Sequence, residues 1–214
     1  MTNADLTHLY FLLDRSGSMQ SIKTDTEGGF DAFIEEQRRA PGRCRVTLAQ
    51  FDHRYEVVYR DLDVHRVPPL DLRPNGSTAL LDAMGRLITD TGADLAALPE
   101  QQRPGTVLMA IMTDGIENAS IEWTRPAIRS LVEQQATVYN WQFLYLGADQ
   151  DAIEVGASIG VSAGRSMTYS RGRSGPAMAA VSANITSLRA GRMRDPAAPL
   201  RDFDAAQRRS AEDS

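Results

Sequence analysis

Apolar and polar positions fall into blocks along this chain. Three short runs are almost wholly apolar: His8 to Leu13 (HLYFLL), Val107 to Met112 (VLMAIM) and Phe143 to Leu146 (FLYL). A strand covered on both faces reads this way, so these runs predict the middle of a parallel sheet. Cys44 to Phe51 and Tyr55 to Tyr59 alternate more and lie close together, which predicts a hairpin toward one edge. Arg165 to Tyr169 predicts a short last strand at the other edge.

Helical spacing fills the gaps. Phe30, Phe33 and Ile34 share one face. Leu80, Leu81, Met84, Leu87 and Ile88 make a longer stripe, and Ile128, Leu131 and Val132 another. Met178, Val181, Ile185 and Leu188 repeat at spacings of three and four, with Pro176 early in that helix and Gly191 at its stop. Asp151 to Ile159 predicts one more short helix. Strands alternating with helices imply right-handed crossovers and a doubly wound, mostly parallel α/β sheet. The expectation is an open sheet of about six strands, with helices on both faces. It predicts one domain over residues 5–191. From Arg192 onward the chain is polar, with arginines and acids in balance and only Leu200 and Phe203 as bulky anchors. Residues 192–214 therefore read as a flexible tail, with a short docked helix at Phe203 as the alternative.

The pattern also exposes a chemical cluster. The first central run stops at a carboxylate, and hydroxyls follow on alternate positions: Asp14, Ser16 and Ser18 in DRSGSM. A second central run ends in MTDG, at Asp114. Thr78, in GSTALLDA, precedes the helix that begins near Leu80. In an open α/β sheet, strand ends and helix starts line one edge, where ligands bind. The five side chains should therefore converge. Two carboxylates and three hydroxyls, without histidine or thiol, form a hard oxygen set suited to Mg²⁺, Mn²⁺ or Ca²⁺ rather than zinc or copper. Taken singly, each piece has a plainer reading. Asp14 to Ser18 and Thr78 could be helix N-caps, and Asp114-Gly115 could be a turn.

The three segments together resemble the metal-ion-dependent adhesion site of von Willebrand factor type A domains, which reads Asp-x-Ser-x-Ser, then a distant Thr, then a distant Asp. The resemblance runs by element order over about residues 5 to 190. It implies a Rossmann-like sheet with one antiparallel edge strand, in agreement with the hairpin. It implies that Ser16, Ser18 and Thr78 coordinate more or less directly, and that Asp14 and Asp114 act largely through water. An acidic side chain of a partner protein would complete the sphere. Stand-alone bacterial relatives often act as intracellular adaptors beside ATPase or chaperone systems.

Composition narrows the alternatives. A net charge of −5 argues against nucleic acid or anionic lipid as main partner. No apolar stretch approaches the ~20 residues of a membrane helix, and no leader pattern opens the chain, so the expected location is the cytoplasm. Cys44 is the one cysteine, which leaves no internal disulfide. The alternative function is a metal-dependent phosphohydrolase with Asp14 as nucleophile. Against it, Ser16 stands where phosphatases of the haloacid dehalogenase type carry a second aspartate. Lys23, the only lysine, is far in sequence from the later motifs. No phosphate-binding Gly-rich loop is present, and His8, His53 and His65 join no nucleophile elbow. The sequence thus reads as a binding module rather than an enzyme. Around the site, Glu117 and Asn118 read as the start of the next helix, with a place on the rim of the site as the alternative, and His53 reads as a hairpin residue. Arg15 reads as pointing to solvent, and Trp123 and Trp141 as packing residues.

Overall fold

The structure is a computed structural model and describes residues 2–212. The strands are β1 (Asn3–Asp14), β2 (Arg43–Phe51), β3 (Tyr55–Asp63), β4 (Pro104–Thr113), β5 (Gln142–Ala148) and β6 (Ser166–Tyr169). The helices are α1 (Lys23–Arg39), α2 (Leu80–Ala97), α3 (Arg125–Val138), α4 (Ala152–Ser158), α5 (Ser174–Arg192) and α6 (Ala205–Glu212). One sheet runs β3-β2-β1-β4-β5-β6, and only the β2–β3 pair is antiparallel. The expected fold class is observed.

The near-continuous apolar runs have the predicted cause. Alternate residues of β1 serve opposite faces. Leu9, Phe11 and Leu13 pack with Phe30 and Phe33 of α1 and Met178 and Val181 of α5. Tyr10 and Leu12 pack with Met84 and Ile88 of α2 and Ile128 of α3. Phe11 meets the Phe30 and Phe33 rings edge-on at 5.2 and 5.0 Å. A buried side chain of this size contributes roughly 1.5–3 kcal/mol, so both faces must be covered for β1 to sit at the centre. Strand β1 pairs β2 on one side and β4 on the other, the point where strand order reverses. The register sets Leu13 opposite Met112, which brings Asp14 beside the Thr113–Asp114 end of β4.

The segment after Gly191 departs from the flexible-tail expectation. Helix α5 runs on through Gly191 to Arg192, and Leu200, Phe203 and Ala211 are buried in the main core. The physical reason is the arginines. Buried Arg192 donates to the Thr106 hydroxyl at 2.9 Å and the Gly105 carbonyl at 3.1 Å. Arg208 donates to the Ser166 carbonyl at 2.8 Å and stands over the Phe203 ring. The Ser170 N–H donates to the Ala211 carbonyl at 3.0 Å. A stretch that looks solvated by composition is thus tied down through backbone carbonyls. Residues 213 and 214 of the expected tail lie outside the described residues.

Candidate metal centre

Each of the five oxygen-bearing residues is placed by its element. Asp14 ends β1, is fully buried, and accepts the Ser16 N–H at 2.6 Å. That bond bends the chain so that Ser16 and Ser18 point back toward the strand ends, with 3.1 Å between their hydroxyls. The Ser18 hydroxyl donates to Asp114 Oδ1 at 2.6 Å, closing the gap between β1 and β4. Thr78 arrives from the other side. Gly115 allows the closest approach, because a Cβ there would stand 2.7 Å from Thr78 Oγ1, 3.4 Å from Asp14 Oδ2 and 3.5 Å from Ser16 Oγ. The structure therefore brings Asp14, Ser16, Ser18, Thr78 and Asp114 together at one sheet edge.

The side-chain helix-cap readings of Ser16 and Thr78 are not met by this geometry. Ser16 precedes a short 3-10 turn without capping it through its side chain. Thr78 is not the N-cap of α2. Ala79 holds that position, and the free N–H groups of the first turn are satisfied from elsewhere. Glu117 accepts the Leu81 N–H at 2.9 Å, and the Ser120 hydroxyl accepts the Asp82 N–H at 3.1 Å. The Thr78 hydroxyl is thereby left available to the cluster.

Electrostatics favours a cation at this point. Burial pushes Asp14 up from 3.8 to about 6, and the hydrogen bonds from Thr113 and Ser16 offset only part of that. Burial likewise raises Asp114, against its bond from Ser18 and the nearby Arg171 charge. Two carboxylates disfavoured in their charged forms stand together with too little compensation. Asp114 Oδ2 is buried and has no hydrogen-bond partner among the described residues. A buried carboxylate oxygen without a partner calls for an explanation, and a bound ion beside a second buried carboxylate supplies one. The donor set is hard oxygen, and no group of three His, Cys, Asp or Glu is placed to hold a metal ion among the described residues, so the hydroxyls would have to supply the remaining donors. The residues present therefore fit a hard divalent cation held by two carboxylates and neutral hydroxyls.

Two residues escaped the sequence reading. The Thr113 hydroxyl donates to Asp14 Oδ2 at 2.5 Å, fixing the carboxylate from behind. Arg171, in the turn between β6 and α5, holds Asp149 at 2.8 Å and places a guanidinium nitrogen 3.6 Å from Asp114 Oδ2. Glu117 and Asn118 do not start a helix, since α3 begins at Arg125. Instead they clamp the loop after β4 onto Thr78, Leu81, Ala119 and Ser120. Arg15 does not face solvent either; it folds back onto Asp52 at 3.1 Å and Glu56 at 2.5 Å. His53 sits in the β2–β3 turn, as expected of a hairpin residue, and Trp141 is buried. Only Thr113, adjacent to Asp114 in MTDG, lay beside a legible signal.

No family model and no curated protein matches the sequence. Solved structures do match. The vWF domain of the type V pilus tip protein Mfa5 from Porphyromonas gingivalis superimposes with a TM-score of 0.61 at 10% identity, over 85% of this chain and 95% of that one. A von Willebrand factor type A protein from Catenulispora acidiphila gives 0.57 at 14% identity, over 84% of this chain and 42% of that one. Proximal thread matrix protein 1 of the mussel byssus, in a form whose adhesion-site motif is occupied by zinc, gives 0.56 at 12% identity, over 87% and 46%. The chain thus spans less than half of the latter two proteins. At such identities the likeness speaks for architecture alone, and it is clear: the chain has the Rossmann-like α/β fold of von Willebrand factor type A domains.

Proposed function

We propose that this protein is a divalent-metal-dependent protein-binding module. Asp14, Ser16, Ser18, Thr78 and Asp114 would hold Mg²⁺, or Mn²⁺ or Ca²⁺, and an acidic side chain of a partner protein would complete the coordination. The carrying observation is the convergence of Thr78 Oγ1, Asp14 Oδ2 and Ser16 Oγ around Gly115, with Ser18 tied to Asp114 Oδ1 and Asp114 Oδ2 buried and unpartnered among the described residues. The zinc-occupied motif named for the mussel protein supports a divalent ion at the corresponding place. When bound, the metal supplies a positive charge that attracts a carboxylate. This chain's residues fix where that charge sits.

A binding role is favoured over hydrolysis. Ser16 stands where a second acidic group would serve phosphoryl transfer, and the one lysine is engaged elsewhere. Lys23 lies 3.3 Å from Glu27 and donates to the Leu72 carbonyl at 2.5 Å. The reading extends to an adaptor or scaffold in a bacterial cytoplasmic complex, beside an ATPase or chaperone-type system, and the resemblance of the motif is its support. No helix among the described residues is long and apolar enough to cross a membrane. With the acidic net charge, this favours a protein partner over nucleic acid or lipid.

Calorimetry on chelator-stripped protein tests the reading. One site for Mg²⁺ or Mn²⁺ is expected, lost in Asp14→Ala. Silence at saturating Mg²⁺, Mn²⁺ and Ca²⁺ removes it. A generic phosphate ester should not be turned over.

A further inference from the structure

The rim of the metal centre carries two features that folding does not require. One is apolar. Ile116 and Ile121 are 72% and 91% exposed on the loop that leaves Asp114. Single exposed aliphatics are common on surfaces. Here, however, the loop that displays them is held rigid. Asp82 accepts the N–H groups of Ile121, Glu122 and Trp123 at 2.8–2.9 Å, and Glu117 accepts those of Leu81, Ala119 and Ser120. The Asn118 N–H donates to the Thr78 carbonyl at 3.1 Å. The two isoleucines are therefore presented in a fixed place, the preorganisation that lowers the entropic cost of docking.

The other feature is a charge. Arg171 is half-exposed and anchored by its backbone N–H and Nε to Asp149, and its Nη1 donates to the Ser21 hydroxyl at 3.2 Å. Anchored in this way, its Nη2 reaches to 3.6 Å from the open oxygen of Asp114, too far for a hydrogen bond. A cation held beside a metal site repels the metal. It also adds positive charge to any carboxylate that arrives there.

We propose that Arg171, the metal and the Ile116–Ile121 loop form one docking surface, fitted to a protein segment in which an acidic residue is flanked by aliphatic side chains. The inference rests on the metal reading above and extends it. The metal and Arg171 take the carboxylate, and the isoleucines take the neighbouring aliphatic groups. Arg171 sacrifices metal affinity for affinity toward the acidic segment, so its removal shifts the two in opposite directions. A purely structural residue would weaken both.

The test uses three short synthetic peptides with the cores Leu-Asp-Leu, Ser-Asp-Ser and Leu-Asn-Leu. Binding to the full chain in saturating Mg²⁺ is followed by NMR shift titration. Mg²⁺ affinity without peptide is measured by calorimetry. Leu-Asp-Leu should bind several-fold more tightly than Ser-Asp-Ser, and Leu-Asn-Leu should not bind. The double variant Ile116→Ser, Ile121→Ser should erase the leucine preference and leave Mg²⁺ affinity unchanged. Neither side chain is buried, so the fold should survive. Arg171→Met should tighten Mg²⁺ on the order of tenfold at low salt and weaken Leu-Asp-Leu, with Arg171→Lys restoring part of each. Equal binding of the two aspartate peptides overturns the docking surface and leaves the metal reading standing. Equal binding of Leu-Asp-Leu and Leu-Asn-Leu overturns the metal-bridged reading instead. Affinities unmoved or both lowered in Arg171→Met remove Arg171 from the surface. No binding of any peptide overturns the proposal, and the calorimetry then shows whether the metal site stands without it.

Discussion

Ser18 and Asp114 are 96 residues apart, yet the serine hydroxyl donates to the carboxylate at 2.6 Å. The bond spans the switch point of the sheet, between the turn after β1 and the end of β4. It holds Asp114 Oδ1, while Oδ2 stays open. Ser18→Ala removes this tether and one neutral oxygen. Ser18 is exposed, so circular dichroism and melting temperature should not change. Mg²⁺ affinity should fall about tenfold, equivalent to ~1.4 kcal/mol. Unchanged affinity would show that Ser18 contributes nothing to the metal.

Phe203 contradicts the composition of the segment it belongs to. It is buried against the main core, below the arginine-tied α6. Phe203→Ala should cost about 3 kcal/mol, the range for truncating a buried aromatic. For a domain of this length, each kcal/mol lowers the melting temperature by roughly 2–4 °C. A scan by differential calorimetry should therefore drop by several degrees. A variant that melts like wild type would return α6 to the status of a loose appendage.

The central strands and the five oxygens were legible in the sequence for one reason. Buried parallel strands leave continuous apolar runs, and the oxygen cluster at their ends interrupts those runs with polar residues. Asp14 and Asp114 announce themselves by stopping HLYFLL and VLMAIM. What could not be read was any role fixed by long-range geometry. Arg171 lies 57 positions beyond Asp114 (171 − 114) in a polar turn, and only the fold brings the two together. Glu117 caps a helix that precedes it in the chain, whereas the known capping signals are local. For the C-terminal segment the docked-helix alternative at Phe203 holds and the flexible tail does not, because counting apolar residues ignores what guanidinium groups do to backbone carbonyls.

His8 gives the protein an acid sensitivity unrelated to the metal centre. Its ring is buried in β1, stacked on Tyr10 at 4.1 Å and bonded to the Tyr10 and Thr47 hydroxyls. Burial, helped by the Arg45 charge, lowers its pKa from 6.5 to about 3, although Asp61 lies 3.7 Å away. The folded state therefore keeps His8 neutral where the unfolded chain is protonated. Stability is full above pH 6.5 and falls as pH drops from there toward 3, by ~1.4 kcal/mol per pH unit from this group. Urea unfolding of wild type and His8→Gln between pH 6 and 4 isolates the effect, because other groups are shared. The variant should show the shallower slope. Parallel slopes would mean that His8 protonates in the folded state.

Asp14 sets the stability of the metal-free protein against the proposed metal binding. It is fully buried, and the rise from 3.8 to about 6 corresponds to ~3 kcal/mol of unfavourable charge burial in the metal-free protein at neutral pH. Asn removes the charge and keeps the shape. It can still accept the Ser16 N–H, and its amide can donate to Thr113 Oγ1 where the carboxylate accepted. In chelator, Asp14→Asn should melt several degrees above wild type, by roughly 2–4 °C per kcal/mol. Metal reverses the comparison. Wild type gains ~2.7 kcal/mol when Mg²⁺ is at 100 times its Kd, and a variant that has lost half of the anionic charge gains little. The two melting temperatures should therefore converge and cross as Mg²⁺ is raised. If Asp14→Asn is the less stable protein in chelator, the carboxylate is satisfied without a cation, and the case for a metal at this sheet edge collapses.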